Sequence, residues 1–150
     1  MRAVLQRVLR AQVRVGDETT GAIEQGILAL VGVAEDDTEA DAVYIADKIA
    51  DLRLFDGAQP GDPERSLSEL GGGALVVSQF TLLGDCRKGR RPSWSRAARP
   101  EPARALYEAV TARLRARDIF TATGTFQAEM QVELVNDGPF TVLLDSKKDF

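Results

Sequence analysis

The chain has 150 residues, 44% of them hydrophobic and 28% charged, which predicts one soluble globular domain spanning residues 1–150. With no histidine and a single cysteine, Cys86, it has no means of Ser-His-Asp or Cys-His catalysis, no internal disulfide and no ordinary zinc site. We therefore expect no metal, and we separately expect no cofactor. The net charge of −4 argues against a general nucleic-acid coat.

The N-terminal part of the chain predicts two strand regions. Residues 1–15 are too interrupted by arginine and glutamine for a signal peptide, and no apolar run is long enough to span a membrane, so we expect no membrane partner. The single cysteine makes a reducing cytoplasm the expected location. Alternating apolar and polar residues at 11–15 indicate a strand within residues 2–15. A turn at 16–21 and a second strand region at 22–33, with an apolar and buried end, are predicted to follow.

Two helices are predicted further along the chain. The first lies within residues 35–55, with Thr38 as its N-cap, and the second runs from Pro100 to about Asp118. Their buried faces are formed by Ala42, Ile45, Ile49 and Leu52 in the first helix and by Ala103, Leu106, Val110 and Leu114 in the second. Between the helices, the Gly/Pro-rich residues 56–73 predict a loop, and the apolar residues 74–85 predict a strand.

The order strands, helix, strand, helix, strands predicts the fold class. It indicates an α/β protein: a single layered domain of mixed and antiparallel β-sheet, barrel-like, with two main helices. Residues 132–146 are interpreted as a final hairpin, because Asn136-Asp137-Gly138 is turn chemistry between two apolar segments. Pro139 directly after this turn is unexpected, because proline cannot donate a hydrogen bond to a strand ladder.

A polar motif, Ser78-Gln79-Phe80-Thr81, interrupts the apolar strand predicted at 74–85. On a strand, successive side chains of this motif would face opposite ways. Buried hydroxyl and amide groups need hydrogen-bond partners. The neighbouring backbone or a ligand could supply these partners, and the motif by itself leaves both interpretations open.

Residues 86–100 form a strongly basic segment. Residues 1–85 carry 7 basic and 15 acidic side chains, whereas residues 86–150 carry 12 basic and 8 acidic ones. The basic residues of the segment are Arg87, Lys88, Arg90, Arg91, Arg96 and Arg99, with no acidic residue among them. Together with Trp94 they suit a phosphate backbone and a stacked base. The alternative is a surface loop in which Trp94 fills the core.

Several motifs together resemble the D-aminoacyl-tRNA deacylase (D-tyrosyl-tRNA deacylase) family. They are SQFTL at 78–82, KGRRPSW at 88–94 and NDGPFT at 136–141, joined by the opening MRAVLQRV. Each motif is weak alone, but they occur in the family's order and spacing across almost the whole chain. The resemblance implies a homodimeric, metal-independent hydrolase that cleaves the ester between a D-amino acid and its tRNA and also clears glycine from mischarged tRNA.

The resemblance also implies a catalytic pocket and a tRNA-binding surface. The pocket for the aminoacyl-adenosine end would be lined by Ser78, Gln79, Phe80 and Thr81. The tRNA would also contact the basic segment, through Lys88, Arg90, Arg91 and Trp94. Because no general base accompanies the hydroxyls, we expect the main-chain N–H groups of Phe80 and Thr81 to stabilise the oxyanion. The 2′-OH of the terminal ribose would activate or orient the attacking water.

The resemblance implies a functional role for Pro139. Gly138-Pro139 would be a Gly-cis-Pro element that reaches into the partner's pocket, and Arg7 would hold that element in place. X-Pro bonds carry only about 0.5–1 kcal/mol of trans preference, and glycine lets bare backbone approach a ligand closely. The main-chain atoms of this element would form a rigid wall in the partner's pocket. This wall would exclude an L side chain, whereas a D side chain or the hydrogen of glycine would escape the clash.

Two other functions fit parts of the sequence. A non-catalytic RNA-binding module would use residues 87–99 and bind tRNA whatever amino acid is esterified to it, but this leaves Gly138-Pro139 unexplained. A hydrolase with Thr81 or Ser78 as its nucleophile would cleave small esters without RNA through a covalent intermediate. The lack of a base beside either hydroxyl counts against this second alternative.

Overall fold

Six strands and three α-helices make up the chain in the computed structural model, which describes residues 1–150. The strands are β1 (Arg2–Val15), β2 (Glu18–Ile23), β3 (Gly26–Gly32), β4 (Gly73–Ser78), β5 (Thr121–Thr123) and β6 (Gln131–Asp145). The helices are α1 (Glu39–Asp51), α2 (Leu67–Leu70) and α3 (Pro100–Ala116), and a 3₁₀-helix spans Phe80–Leu83. None of these helices has the length and apolar character needed to cross a membrane.

The strands form one mixed sheet, in the order β2-β1-β3-β4-β5, with β6 paired to β1. β1 is antiparallel to β2, β3 and β6, whereas β3, β4 and β5 run parallel. The sheet curls until β2 meets β5: a Cβ on Gly21 would lie 2.3 Å from the carbonyl oxygen of Thr123, so only glycine allows this approach. The expected α/β fold with a barrel-like mixed sheet is therefore confirmed.

Two apolar cores lie on opposite faces of the sheet. α1 and α3 cover one face, where the buried side chains include Leu5, Ile27, Ile45, Val76, Val110 and Leu114. The second core fills the inside of the curl and consists of Val8, Ala11, Val13, Ile23, Leu28, Leu75 and Val77. Alternate residues of β3 and β4 enter different cores because successive strand side chains point to opposite faces.

The two main helices form where the sequence predicts them. Thr38 caps α1, and its N–H donates to the Asp41 carboxylate (2.8 Å). α3 begins at Pro100, a position where the missing N–H removes no helical hydrogen bond. The predicted apolar faces of both helices are turned to the core, although Leu52 is the C-cap of α1 and not a helical residue.

Three local expectations, for the turn at 16–21, the strand region at 22–33 and the loop at 56–73, are wrong, and one strand, β5, was not predicted. The turn predicted at 16–21 is shorter, because β2 already begins at Glu18, and the region 22–33 is therefore divided between β2 and β3. The loop predicted at 56–73 contains α2, whose N-cap Ser66 accepts a hydrogen bond from the N–H of Glu69 (3.2 Å). β5 has only three residues, too few to show a periodic pattern.

The hairpin predicted at 132–146 is also wrong, because these residues belong to one continuous strand, β6. β1 pairs with β6 on both sides of the NDGPFT motif, and residues 137–140 bulge out opposite Arg7 alone. The turn chemistry at Asn136 therefore makes a bulge and not a chain reversal. The Gly138–Pro139 peptide bond within the bulge is cis, as the resemblance implies.

Candidate active site

Ser78 and Gln79 lie where the chain leaves the sheet. β4 ends at Ser78, the N–H of Gln79 donates to the Val31 carbonyl of neighbouring β3 (2.8 Å), and Phe80 begins the 3₁₀-helix. The expectation that a strand continues through this motif is wrong. As a result, the Phe80 side chain is 55% exposed and does not alternate with its neighbours across a sheet.

A cavity of about 580 Å³ lies beside this turn, next to the N-terminal end of α3. Its lining residues include Ser78, Gln79, Phe80, Pro100, Ala103 and Phe126. The lining is mainly apolar, with a few polar groups supplied by the end of β4, which is the usual character of a small-molecule site. Three of the four residues that the resemblance assigns to the pocket are thus brought to one cavity.

Thr81, the fourth of these residues, is exposed and does not line the cavity. Its hydroxyl accepts a hydrogen bond from Nε2 of Gln79. An amide is not a base near neutral pH, so this contact does not activate the hydroxyl as a nucleophile. Phe80 and Thr81 occupy the first turn of the 3₁₀-helix, where the N–H groups have no acceptor within the helix and can serve an oxyanion.

Trp94 connects the basic segment to this site. Its indole packs edge-on against the ring of Phe80, with the ring centroids 5.5 Å apart. It also covers Gly84, where an added Cβ would lie 2.6 Å from the indole. Trp94 is nevertheless 41% exposed, so the alternative in which it fills the core is wrong, and part of its surface is available for stacking.

Five of the six cations of the basic segment fall into two groups, and the sixth, Arg99, is exposed at the N-cap of α3. Arg87 pairs with Asp85 (2.6 Å), and Arg96 pairs with Asp149 (3.0 Å). Hydrogen bonds from Arg87 hold the pKa of the Asp85 carboxyl well below its usual range. The cations exposed at the tip of the segment are Lys88, Arg90 and Arg91.

Arg7 anchors the bulge of β6. Its side chain is only 6% exposed and forms an ion pair with Asp137, with Nε 2.9 Å from Oδ2. The guanidinium also lies 4.2 Å from the centroid of the Phe140 ring and donates to the carbonyl oxygen of Leu54 (2.7 Å). Arg7 therefore contacts the residues immediately before and after Gly138-Pro139.

Asn136 is a second clamp on the bulge, in addition to Arg7, which the sequence motifs single out. Its Nδ2 donates to the carbonyl oxygens of Arg7 (2.8 Å) and Phe140 (3.2 Å), which joins the end of the bulge to β1. The only sequence signal for this clamp is turn chemistry, which suits a hairpin equally well.

Gly138 and Pro139 lie exposed at the tip of the bulge and do not line the cavity of their own chain. A Cβ added to Gly138 would meet only Oδ1 of Asn136, at 3.9 Å, so the space around the tip is open. A single chain thus brings together the pocket residues and the basic segment, but it does not bring the Gly-Pro pair to them.

Solved structures share this fold. The c-Myc DNA unwinding element binding protein matches with a TM-score of 0.88 and 37% identity, over 97% of this chain and 98% of that one. A probable eukaryotic D-amino acid tRNA deacylase matches with a TM-score of 0.82 over 95% of this chain and 97% of that one; at 18% identity this likeness shows the fold alone. The architecture is therefore that of the deacylase fold.

The chain belongs to the D-Tyr-tRNA(Tyr) deacylase family, whose model matches residues 4–145. The D-aminoacyl-tRNA deacylase of Anaeromyxobacter dehalogenans is 58% identical over 150 residues, all of both chains. That of Koribacter versatilis is 55% identical over the same length, also all of both chains. That of Thermus aquaticus is 53% identical over 148 residues, 99% of this chain and 97% of its own. The family inferred from the sequence motifs is confirmed.

Proposed function

We propose that this protein hydrolyses the ester bond between a D-amino acid and the 3′-terminal adenosine of its tRNA. Family membership across residues 4–145 is the observation that carries this proposal. The mainly apolar cavity beside Ser78 suits an aminoacyl-adenosine end, and Trp94 with the exposed cations suits the nucleotides that precede it. Because charged tRNA is a cytoplasmic substrate, we expect the enzyme in the cytoplasm, working without a cofactor.

Water is the nucleophile in this proposal. It attacks the ester carbonyl carbon, and the main-chain N–H groups of Phe80 and Thr81 stabilise the oxyanion that forms. The bond from this carbon to the ribose O3′ then breaks, and O3′ takes up the proton that the attacking water loses, leaving free amino acid and tRNA. Because the chain has no histidine, the vicinal 2′-OH of the ribose orients or activates the water.

A main-chain wall would select D-amino acids by exclusion. Gly138-Pro139 of one subunit would enter the cavity of its partner and occupy the volume that an L side chain needs. A D side chain points away from this wall and glycine has no side chain, so glycyl-tRNA would also be a substrate. The contacts of Arg7 and Asn136 with the bulge support this role, because a wall discriminates only when it is held rigidly.

Exchange of the bulges requires a homodimer. β6 pairs only with β1, so its outer edge has no neighbouring strand in one chain. On the sheet face away from α1 and α3, Leu143 is 62% exposed and lies in register with Val4. This apolar surface supports a two-fold interface in which each subunit would supply its bulge to the other cavity.

Single-turnover hydrolysis of D-tyrosyl-tRNA and L-tyrosyl-tRNA by the purified protein tests the proposal. We expect D-tyrosyl-tRNA and glycyl-tRNA to be hydrolysed and L-tyrosyl-tRNA to persist. Binding of all three without hydrolysis would instead indicate a non-catalytic RNA-binding module. Cleavage of small activated esters through a trapped covalent intermediate would indicate Thr81 or Ser78 as the nucleophile.

A further inference from the structure

A second cavity lies at the C-terminal end of the 3₁₀-helix Phe80–Leu83. Its volume is about 630 Å³. Its lining residues include Arg2, Leu83, Gly84, Arg87, Arg96 and Phe150. The cavity beside Ser78 contains no arginine in its lining, so the two cavities offer different chemistry on either end of one short helix. Arg2 is tied to this helix, because its Nη1 donates to the carbonyl oxygen of Leu82 (3.2 Å).

Two arginines of the second cavity share one carboxylate. Oδ2 of Asp149 lies 3.0 Å from Nη2 of Arg96 and 3.8 Å from Nη2 of Arg2. The hydrogen bond from Arg96 lowers the pKa of the Asp149 carboxyl from its ordinary value. The two guanidinium groups therefore already bind an anion, the carboxylate of Asp149 in the segment after β6.

Asp149 is the least fixed anion around this cavity. The side chain of Asp145, the other partner of Arg2, is 2% exposed, and the backbone of Asp85 is held by a pair of hydrogen bonds to Ser93. The Asp149 side chain is 45% exposed and follows the last turn of the chain. Exposed ion pairs contribute little to stability, so an anion with better arginine geometry can replace this carboxylate. Phosphate is such an anion.

We propose that Arg2 and Arg96 form a binding site for a backbone phosphate of the tRNA 3′ strand, and that Asp149 occupies this site in the absence of RNA. Trp94 lies between the two cavities, since it contacts Phe80 at the first and Gly84 at the second. A strand whose terminal adenosine enters the first cavity can stack its preceding base on Trp94 and bring a phosphate to the arginines. The choice of tRNA as the ligand rests on the proposed function, and the new element is the path that the tRNA 3′ strand takes across the protein surface.

Equilibrium binding of uncharged tRNA, measured by fluorescence anisotropy from 50 to 200 mM salt, tests this site without requiring hydrolysis. Asp149→Asn removes the competing carboxylate and should tighten binding by roughly 1.5-fold to fivefold, the value of an exposed ion pair. Arg96→Ala removes one phosphate contact and should reduce the slope of log affinity against log salt by about 0.7.

Matched controls separate a local site from a change in net charge. Asp17→Asn and Arg14→Ala make the same chemical changes near the other end of β1, which is 14 residues long. At about 3.3 Å per residue, the path along β1 from Arg2 to Arg14 is roughly 40 Å at full extension. If the control variants change tRNA binding as much as Asp149→Asn and Arg96→Ala do, the site is disproved.

A neutral linkage identifies the phosphate. Two uncharged tRNAs are compared, one with a methylphosphonate at the last internucleotide linkage and one with it at the linkage before. One of the two should bind the wild-type protein more weakly than natural tRNA does. With that modified tRNA, Arg96→Ala should cause no further loss of affinity. An equal loss on Arg96→Ala for natural tRNA and for both modified tRNAs would overturn the site. Because these assays measure binding, the site can stand or fall whether or not D-aminoacyl-tRNA is hydrolysed.

Discussion

The guanidinium of Arg7 stacks 4.2 Å from the ring centroid of Phe140. The same group pairs with Asp137, so one nearly buried side chain contacts both sides of the exposed Gly138-Pro139 pair. A planar guanidinium can stack and form hydrogen bonds in its own plane at the same time, which explains why an arginine serves here. Arg7 thereby links the bulge to β1 and to the backbone of Leu54.

Arg7→Lys should weaken this clamp, because an ammonium group lacks the planar donors needed for both contacts. We expect the free energy of unfolding to fall by about 1–3 kcal/mol, the cost of unmade buried hydrogen bonds. We also expect the preference for D-tyrosyl-tRNA over L-tyrosyl-tRNA to decrease. Urea denaturation and single-turnover hydrolysis measure the two effects. Arg10→Lys, an exposed position on the same strand, is the control; equal behaviour of the two variants would rule out the clamp.

Gly138→Ala should leave the single chain stable but impair hydrolysis. The added methyl group has room in its own chain, since its nearest heavy atom would be Oδ1 of Asn136 at 3.9 Å. In the cavity of a partner it would displace the substrate, and a displacement near 1 Å can cost roughly 10²-fold in rate. Thermal unfolding and D-tyrosyl-tRNA hydrolysis are compared with those of the wild type. Unchanged hydrolysis would place the tip of the bulge away from the substrate.

Thr81→Ala should hydrolyse D-tyrosyl-tRNA at a rate within about tenfold of the wild-type rate, because the main-chain N–H that stabilises the oxyanion is still present. Loss of such a donor would lower the rate by roughly 10²–10³-fold. A D-aminoacyl-tRNA that ends in 2′-deoxyadenosine should be nearly inert with the wild-type protein. Single-turnover assays of both reactions decide between the mechanisms. Normal cleavage of the deoxy substrate together with an inactive Thr81→Ala variant would identify Thr81 as the nucleophile.

Leu143→Lys should disrupt the proposed dimer, because it places a charge on an apolar, exposed position of the β6 face. We expect multi-angle light scattering to show a monomer at micromolar concentration and hydrolysis to be lost with it. Phe120→Lys changes a side chain that is equally exposed but precedes β5, and it should leave both properties intact. A fully active monomer would contradict the exchange of bulges between subunits.

Tyr107→Phe tests the support beneath the candidate active site. The Tyr107 hydroxyl donates to the carbonyl oxygen of Val76, in the strand that leads to Ser78 (2.9 Å), and burial raises the pKa of Tyr107 to about 12. Because this value exceeds the unfolded one of about 10, the stabilisation is complete below pH 10 and is lost as the pH rises toward 12.

We therefore expect Tyr107→Phe to lower the free energy of unfolding by about 0.5–1.5 kcal/mol at pH 8. Between pH 10 and 12 the variant should lose less stability than the wild type does, as followed by urea denaturation. Tyr44→Phe, at a half-buried tyrosine of α1, is the control. Parallel pH curves for the wild type and Tyr107→Phe would show that the Tyr107 proton is not linked to folding.

The sequence by itself determined the elements whose signals are local. The 3.6-residue apolar period, the cap at Thr38 and the proline at Pro100 place α1 and α3, because helix hydrogen bonds join residues four apart. The family was also readable, since SQFTL, KGRRPSW and NDGPFT keep their order and spacing in the chain. The capping box of α2 at Ser66 and Glu69 was readable too, but the surrounding glycines and prolines favoured a loop.

Only the tertiary structure decided how the NDGPFT motif is used. The same turn chemistry can reverse a chain or make a bulge, and the outcome depends on whether a partner strand continues past it. β1 is long enough to pair with β6 on both sides, and this keeps β6 continuous and turns the Gly-Pro pair outward. The exposure of Phe80 and the pairing of Arg96 with Asp149 likewise depend on residues far away in the chain, which a local pattern cannot specify.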